Sequence, residues 1–263
     1  MRLSDYRLMN NIMSPITLSA IAFVCILTGT LVGMLLRNRL PDHYLGSDAK
    51  DVVRLGAGLI GTIAALVLGL LIASAKTSYD TQVSQLKQLT ADVILLDQLL
   101  AQYGPEAAPV RNLLRGAVDA VAGRIWHENG SAPARNAPFQ ATAAGEGFIV
   151  KLHQLSPQTD EQRSLKNRAT EVTANIARTR LLLYTQGDNP IPMPFLIVLI
   201  FWVSIIFANF SLFAEPKPIV IGALFVFALS AAAAIFLVLE LGQPFSGMMQ
   251  ISSIPLRSAL APL

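Results

Sequence analysis

Residues 55 to 75 read LGAGLIGTIAALVLGLLIASA, with Arg54 immediately before them and Lys76 immediately after. A bilayer core asks for roughly 20 mostly apolar residues in a helix, and this uncharged stretch is long enough. The residues beyond Lys76 decide the fold. Between about Ile60 and Tyr103 nothing breaks a helix except Gly61 and Gly69 inside the apolar stretch, and the first firm punctuation is Gly104-Pro105. The sequence therefore predicts one helix of about 42 residues, on the order of 60 Å long, that leaves the membrane and continues into water. Its polar half carries Leu86, Val93 and Leu100 at one heptad position and Leu89, Leu96 and Tyr103 three residues later. Such a seam has to be covered, either by other helices of the same subunit or by another subunit.

The composition agrees with a membrane protein. Of the 263 residues 53% are hydrophobic and 14% charged, well under the roughly 25% charged residues of soluble domains. Mean hydropathy is +0.51. Three more stretches qualify as spans. Residues 15–36, PITLSAIAFVCILTGTLVGMLL, precede Arg37 and Arg39. They are too long for the apolar part of a signal peptide and no small-x-small cleavage site comes after them, so a retained helix is expected. Residues 195–214 and 218–241 are separated only by Glu215, Pro216 and Lys217, which makes them an antiparallel pair. Four spans put both ends and the long middle segment on one side. Near the membrane that side carries Arg2, Arg7, Lys76, Lys87, Arg178, Arg180 and Arg257, against Arg37, Arg39, Lys50, Arg54 and Lys217 on the other. The excess of basic residues places the termini and the middle segment in the cytoplasm. The expected organisation is a membrane pair over 1–76, a cytoplasmic helical domain over 77–190, and a second membrane pair with a tail over 191–263.

Within the middle segment, a helix is expected over about 106–127 with Val110, Leu114, Val118, Val121 and Ile125 on one stripe. The stretch NGSAPARNAPFQATAAG, residues 129–145, has turn formers and no apolar period, and reads as a loop. A short helix over about 146–155 comes next. Ser156-Pro157 then supplies an N-cap and a first-turn proline for a helix with Leu165, Val172, Ile176 and Leu183 at core spacing, ending at Gly187. The prolines of GDNPIPMP, residues 187–194, give a rigid, bent approach to the third span.

Residues able to carry chemistry are few. In the second span Gly61, Ala65, Gly69, Ala73 and Thr77 recur every four residues as a ridge of small side chains. Such a ridge lets helices pack closely, or it faces a conduit in an oligomer. Gly29 and Gly33 form a shorter GxxxG, read as packing, and Glu215 with Lys217 reads as a solvated turn. Glu240 ends an otherwise uncharged span, at the helix end where the dipole disfavours an acid. It either points to interfacial water or has a basic partner, for which Lys76 and Arg257 are candidates. The tail MMQISSIPLRSAL, residues 248–260, is apolar enough to lie along the interface. Cys25 is the only cysteine, and His43, His127 and His153 stand far apart, so no metal site is expected. No Gly-rich phosphate loop, HExxH stretch or nucleophile-base motif is present, so no cofactor and no enzyme activity are expected. The net charge of +3 is too small and too scattered to suggest nucleic-acid binding.

The closing run LELGQPFSGMMQIS, residues 239–252, resembles the C-terminal signature of the bestrophin-like domain family of bacterial membrane proteins. There a glutamate ending the last span is followed by Leu-Asp-x-Pro-Phe-x-Gly. Glu240, Leu241, Pro244, Phe245 and Gly247 match it, while Gly242 stands where the pattern has aspartate. The rest of the chain is similar in layout, with two spans, a long helical middle, and FWVSIIFANFSLFAEPKP opening the second pair. Bestrophins proper are pentameric anion channels whose second helix lines the pore. The resemblance thus implies an all-α polytopic protein of the bacterial inner membrane, assembled as a homo-oligomer, a pentamer if bestrophins are the guide, with small ions and the lipid bilayer as its partners. In that scheme Gly61, Ala65, Gly69, Ala73 and Thr77 line the pore, and Glu240 with the Pro-Phe-x-Gly turn anchors the last helix. The competing expectation is a non-conducting scaffold or sensor that binds a partner through its cytoplasmic helices.

Overall fold

The computed structural model describes residues 14–41, 47–126, 143–187, 193–215, 217–245 and 247–259. The expected loop over 129–145 and the GDNPIPMP block fall mostly outside them, as do His43 and His127. Among the described residues every regular element is helical, and four helices are long and apolar enough to cross a membrane.

Helix α1, Pro15–Arg39, begins at a capped end: the Ser14 hydroxyl accepts the Thr17 N–H at 3.2 Å, and Pro15 sits where its missing N–H costs nothing. Arg37 and Arg39 occupy its last turn and complement the helix dipole. Helix α2, Ser47–Tyr103, is 57 residues long. It starts earlier than the apolar stretch suggested because SDAKDVVRL contains neither proline nor glycine. It ends as expected, at Gly104, whose φ of +124° is strained for any residue with a Cβ. A 3-10 turn, Pro105–Ala107, leads into α3, Ala108–Ile125. Then come α4, Ala143–Gln154; α5, Asp160–Gly187; α6, Met193–Phe213; α7, Pro218–Leu241; and the short α8, Ile254–Ser258.

The chain forms two compact units, Met1–Thr77 with Pro190–Gly242, and Ser78–Asn189 with Gln243–Leu263. In the first, α1 packs on α6 and α7. Gly29 and Gly33 allow this: a Cβ on Gly29 would stand 2.6 Å from the Ser204 carbonyl oxygen, and one on Gly33 would overlap the Ala208 carbonyl and the Ser211 hydroxyl. That hydroxyl donates to the Thr30 carbonyl at 2.8 Å, a buried hydrogen bond between α1 and α6. Arg37 donates to the Ala214 carbonyl, just past the end of α6. From α2 this unit buries Ala64, Leu71 and Ala75, against Ala22, Leu196, Leu199, Ile235 and Val238.

The second unit buries both rows of the heptad seam, Leu86, Val93 and Leu100 with Leu89, Leu96 and Tyr103. They pack with Val110, Leu114 and Val118 of α3, Phe148 and Leu152 of α4, and Ala169, Val172 and Leu183 of α5. The seam is therefore covered within one chain. On α3 the buried stripe continues to Ala122, with Val121 only half-buried. Arg111 on α3 grips Asp97 on α2 with two hydrogen bonds, Nε to Oδ1 at 2.8 Å and Nη2 to Oδ2 at 2.6 Å.

Two expectations are corrected by the structure. Helix α5 starts at Asp160, not after Ser156, because Thr159 is the better cap: its hydroxyl accepts the Gln162 N–H at 3.1 Å, while the Gln162 side chain accepts the Gln158 N–H at 2.8 Å. This Thr-x-x-Gln arrangement satisfies two N–H groups at once. The tail after Gly242 belongs with the middle segment rather than with the second membrane pair. Its apolar residues divide: Leu256 is buried and Phe245, Ile251 and Ala259 pack on the helical core, with α8 against α3, while Met248 and Ile254 stay exposed.

Candidate functional site

Two groups of residues stand out. The first is the outer face of α2. At 3.6 residues per turn, a spacing of four advances about 40° per step, so the small-residue ridge winds around the helix instead of running straight along it. Gly61 lies at the edge of the packed face, where a Cβ would sit 3.8 Å from Ile206 Cδ1. Ala65, Gly69, Ala73 and Thr77 are exposed within the chain, and a Cβ at Gly69 would meet no atom within 4 Å. The buried stripe, Ala57, Ala64, Leu71 and Ala75, lies on the opposite side at seven- and four-residue spacing.

That separation has two consequences. The ridge does not pack the helices of one chain together, which is the role Gly29 and Gly33 have. It also shares its face with bulky residues that a four-residue spacing leaves out: Leu59 is 64% exposed and Leu66 is 70% exposed. A straight line along the helix at seven-residue spacing joins Leu59, Leu66 and Ala73, with Thr62 and Gly69 in the parallel row. Thr62 and Thr77 direct their hydroxyl hydrogens to their own helix, to the Gly58 carbonyl at 3.0 Å and the Ala73 carbonyl at 2.9 Å. The face offers methyl and methylene groups and no charge.

The second group is the C-terminal motif. Glu240, in the first unit, is 2% exposed and takes part in a polar interaction, so it does not point to interfacial water. Gly242 comes next but one, with a right-handed φ of −73°, a conformation that aspartate adopts equally well. In the second unit Pro244 is buried and Phe245 meets Trp126 edge to face, ring centroids 5.7 Å apart. Gly247, at φ +92°, turns the chain. The loop closes with the Ile251 N–H on the Pro244 carbonyl at 2.7 Å and the Trp126 Nε1–H on the Ile251 carbonyl at 2.6 Å. Tyr79 on α2 donates to the Met249 carbonyl at 3.4 Å. Trp126 thus organises the motif, and no local pattern around it in the sequence announces that role. Among the described residues no three His, Cys, Asp or Glu side chains gather as a metal-ligand set.

The model of the bestrophin-like domain family matches residues 23–256 of the chain. No curated protein and no solved structure matches it.

Proposed function

This chain belongs to the bestrophin-like family, and from that premise we propose that it assembles as a homo-oligomer and conducts ions passively through a central pore lined by α2. Anions are preferred over cations, a preference that rests on the family alone. The observation that carries the pore assignment is the sidedness of α2. One face is buried against the chain's own helices, while the face with Leu59, Thr62, Leu66, Gly69 and Ala73 is left uncovered and uncharged. Gly61 and Ala65 flank that face and Thr77 lies at its end.

The mechanism derives from the surface chemistry. A narrow ring of leucine side chains cannot replace the hydration shell of an ion, so water leaves the constriction and conduction stops; widening the ring rewets it. Leu66, 70% exposed and midway along the uncovered line from Leu59 to Ala73, is the residue assigned to the constriction. Small neighbours at Ala65 and Gly69 leave room for the helices to shift. No catalytic step and no cofactor are assigned. The excess of basic residues supports a cytoplasmic location for both termini and the second unit, in a bacterial cell.

The scaffold reading drew on the heptad seam, and that seam is occupied inside the chain, so no observation favours it. The test is current through reconstituted bilayers. Gly69→Leu and Ala65→Leu should abolish conductance while assembly persists, and Leu66→Ala should raise the open fraction. Unchanged currents in all three, or a monomer or simple dimer in detergent instead of a ring of four or more, would remove the pore from α2.

A further inference from the structure

In the second unit a crevice of about 270 Å³ opens between α2 and α5, lined by Gln88, Asp92, Asn175, Arg178, Thr179 and Leu182. Asp92 is only 9% exposed. Among the described residues its carboxylate takes one hydrogen bond, from Gln88 Nε2 at 2.9 Å. An ionised carboxylate offers about four acceptor positions, and those that Gln88 leaves free open onto the crevice, since no Asp92 oxygen is both buried and unpartnered. Arg178, exposed on the same crevice, has no carboxylate within ion-pair distance among the described residues. An acid short of donors and a base short of acceptors thus line one small opening without pairing with each other. Asn175 and Thr179 add an amide and a hydroxyl to the lining.

A polar pair one helical turn apart, Gln88 with Asp92, is common on helix surfaces and accounts for their mutual contact. It accounts neither for the depth of the carboxylate nor for the unpaired guanidinium beside it. The geometry points to a binding site for a small zwitterion, its ammonium group against Asp92 and its anionic group on Arg178. The crevice is smaller than the pockets that take drug-sized ligands and suits a small molecule such as a free amino acid. Guanidinium suits the anionic end because its fork matches a carboxylate with two parallel hydrogen bonds. A ligand there would bridge α2 and α5.

Calorimetric titration of the full chain in detergent tests this with three probes of one carbon skeleton: β-alanine, propionate and propylamine. The zwitterion should bind at least about tenfold more tightly than either singly charged analogue, a difference of about 1.4 kcal/mol. Arg178→Gln, at an exposed position that spares the fold, should reduce β-alanine to the affinity of propylamine. Asp92→Asn should reduce it to that of propionate. If Asp92→Asn fails to fold, the Arg178 variant and the analogue series decide. No saturable heat with β-alanine up to about 10 mM, equal affinity for all three probes, or wild-type binding by Arg178→Gln would each overturn the assignment. Binding without current would leave this site standing and count only against the pore; current without binding would do the reverse.

Discussion

Trp126 donates its indole N–H to the Ile251 carbonyl at 2.6 Å, and its ring meets Phe245 edge to face. One residue at the end of α3 thereby holds both ends of the segment after the last membrane helix. The segment adds Leu256 to the buried core and brings α8 onto α3.

Removing the donor while keeping an aromatic ring isolates the hydrogen bond. Trp126→Phe should cost about 1 to 2 kcal/mol of unfolding free energy, because the Ile251 carbonyl loses its partner. Trp126→Ala should cost about 3 to 5 kcal/mol through the added loss of packing. Denaturant unfolding followed by circular dichroism reads both. Wild-type stability in Trp126→Ala would mean that the tail does not dock on the bundle in solution.

The long helix and its seam were legible in the sequence because both are local properties: an unbroken run of helix formers and a seven-residue period. What covers the seam was not, since that depends on contacts such as Leu96 with the helices after Gly104, far apart in the chain. Caps lie between these cases. Ser156-Pro157 satisfies the rule for a helix start, but Thr159 with Gln162 satisfies two N–H groups instead of one, and that stronger arrangement decides where α5 begins. The candidate site was legible in the same uneven way. A four-residue ridge of small side chains is conspicuous in sequence, yet it winds around the helix. The outward line through Leu59 and Leu66 emerges only when the buried stripe of Ala57, Ala64 and Leu71 is known. The tail looked interfacial because it is apolar; Leu256 in it fills a core, while Met248 and Ile254 stay exposed.

A polar residue interrupts the buried face of α2. Gln82, seven residues before Leu89, is 2% exposed, and its side-chain carbonyl oxygen has no hydrogen-bond partner among the described residues. A buried amide left unsatisfied carries its desolvation cost without return. Gln82→Leu should therefore stabilise the bundle by about 1 to 2 kcal/mol, read as a higher denaturation midpoint at unchanged slope. A lower midpoint would mean that the amide makes a contact worth more than its burial costs.

Alkaline pH probes the far end of the same seam. Burial first, and the nearby charge of Glu106 second, raise the Tyr103 hydroxyl above its ordinary 10.0. Below pH 10 the phenol is protonated in both the folded and the unfolded chain, and its contribution is fully present. Above pH 10 the unfolded chain releases the proton while the folded one retains it, so stability falls until the pH passes the folded value. Unfolding measured from about pH 9 to about pH 11 should show a downward slope that is shallower in Tyr103→Phe. Parallel slopes in the two proteins would mean that Tyr103 titrates alike folded and unfolded.

Two glycines of the membrane helices should respond oppositely to the same substitution. At Gly33 a methyl group would overlap the Ala208 carbonyl and the Ser211 hydroxyl, backbone and side chain of a packed helix that cannot yield without moving α1 away from α6. Overpacking of this kind costs about 1 to 3 kcal/mol and here also strains the hydrogen bond from Ser211 to the Thr30 carbonyl. At Gly69 a methyl group meets nothing in its own chain, and alanine is the better helix former by about 1 kcal/mol. Gly33→Ala should therefore lower the thermal stability of the detergent-solubilised chain, and Gly69→Ala should hold or raise it. The same Gly69→Ala protein then separates fold from function. If α2 lines a pore, a methyl group at each symmetry-related position narrows the conduit and should reduce single-channel current while the protein remains stable. Equal losses of stability at the two glycines would mean that Gly69 packs against a neighbouring helix, with no room for ions beside it.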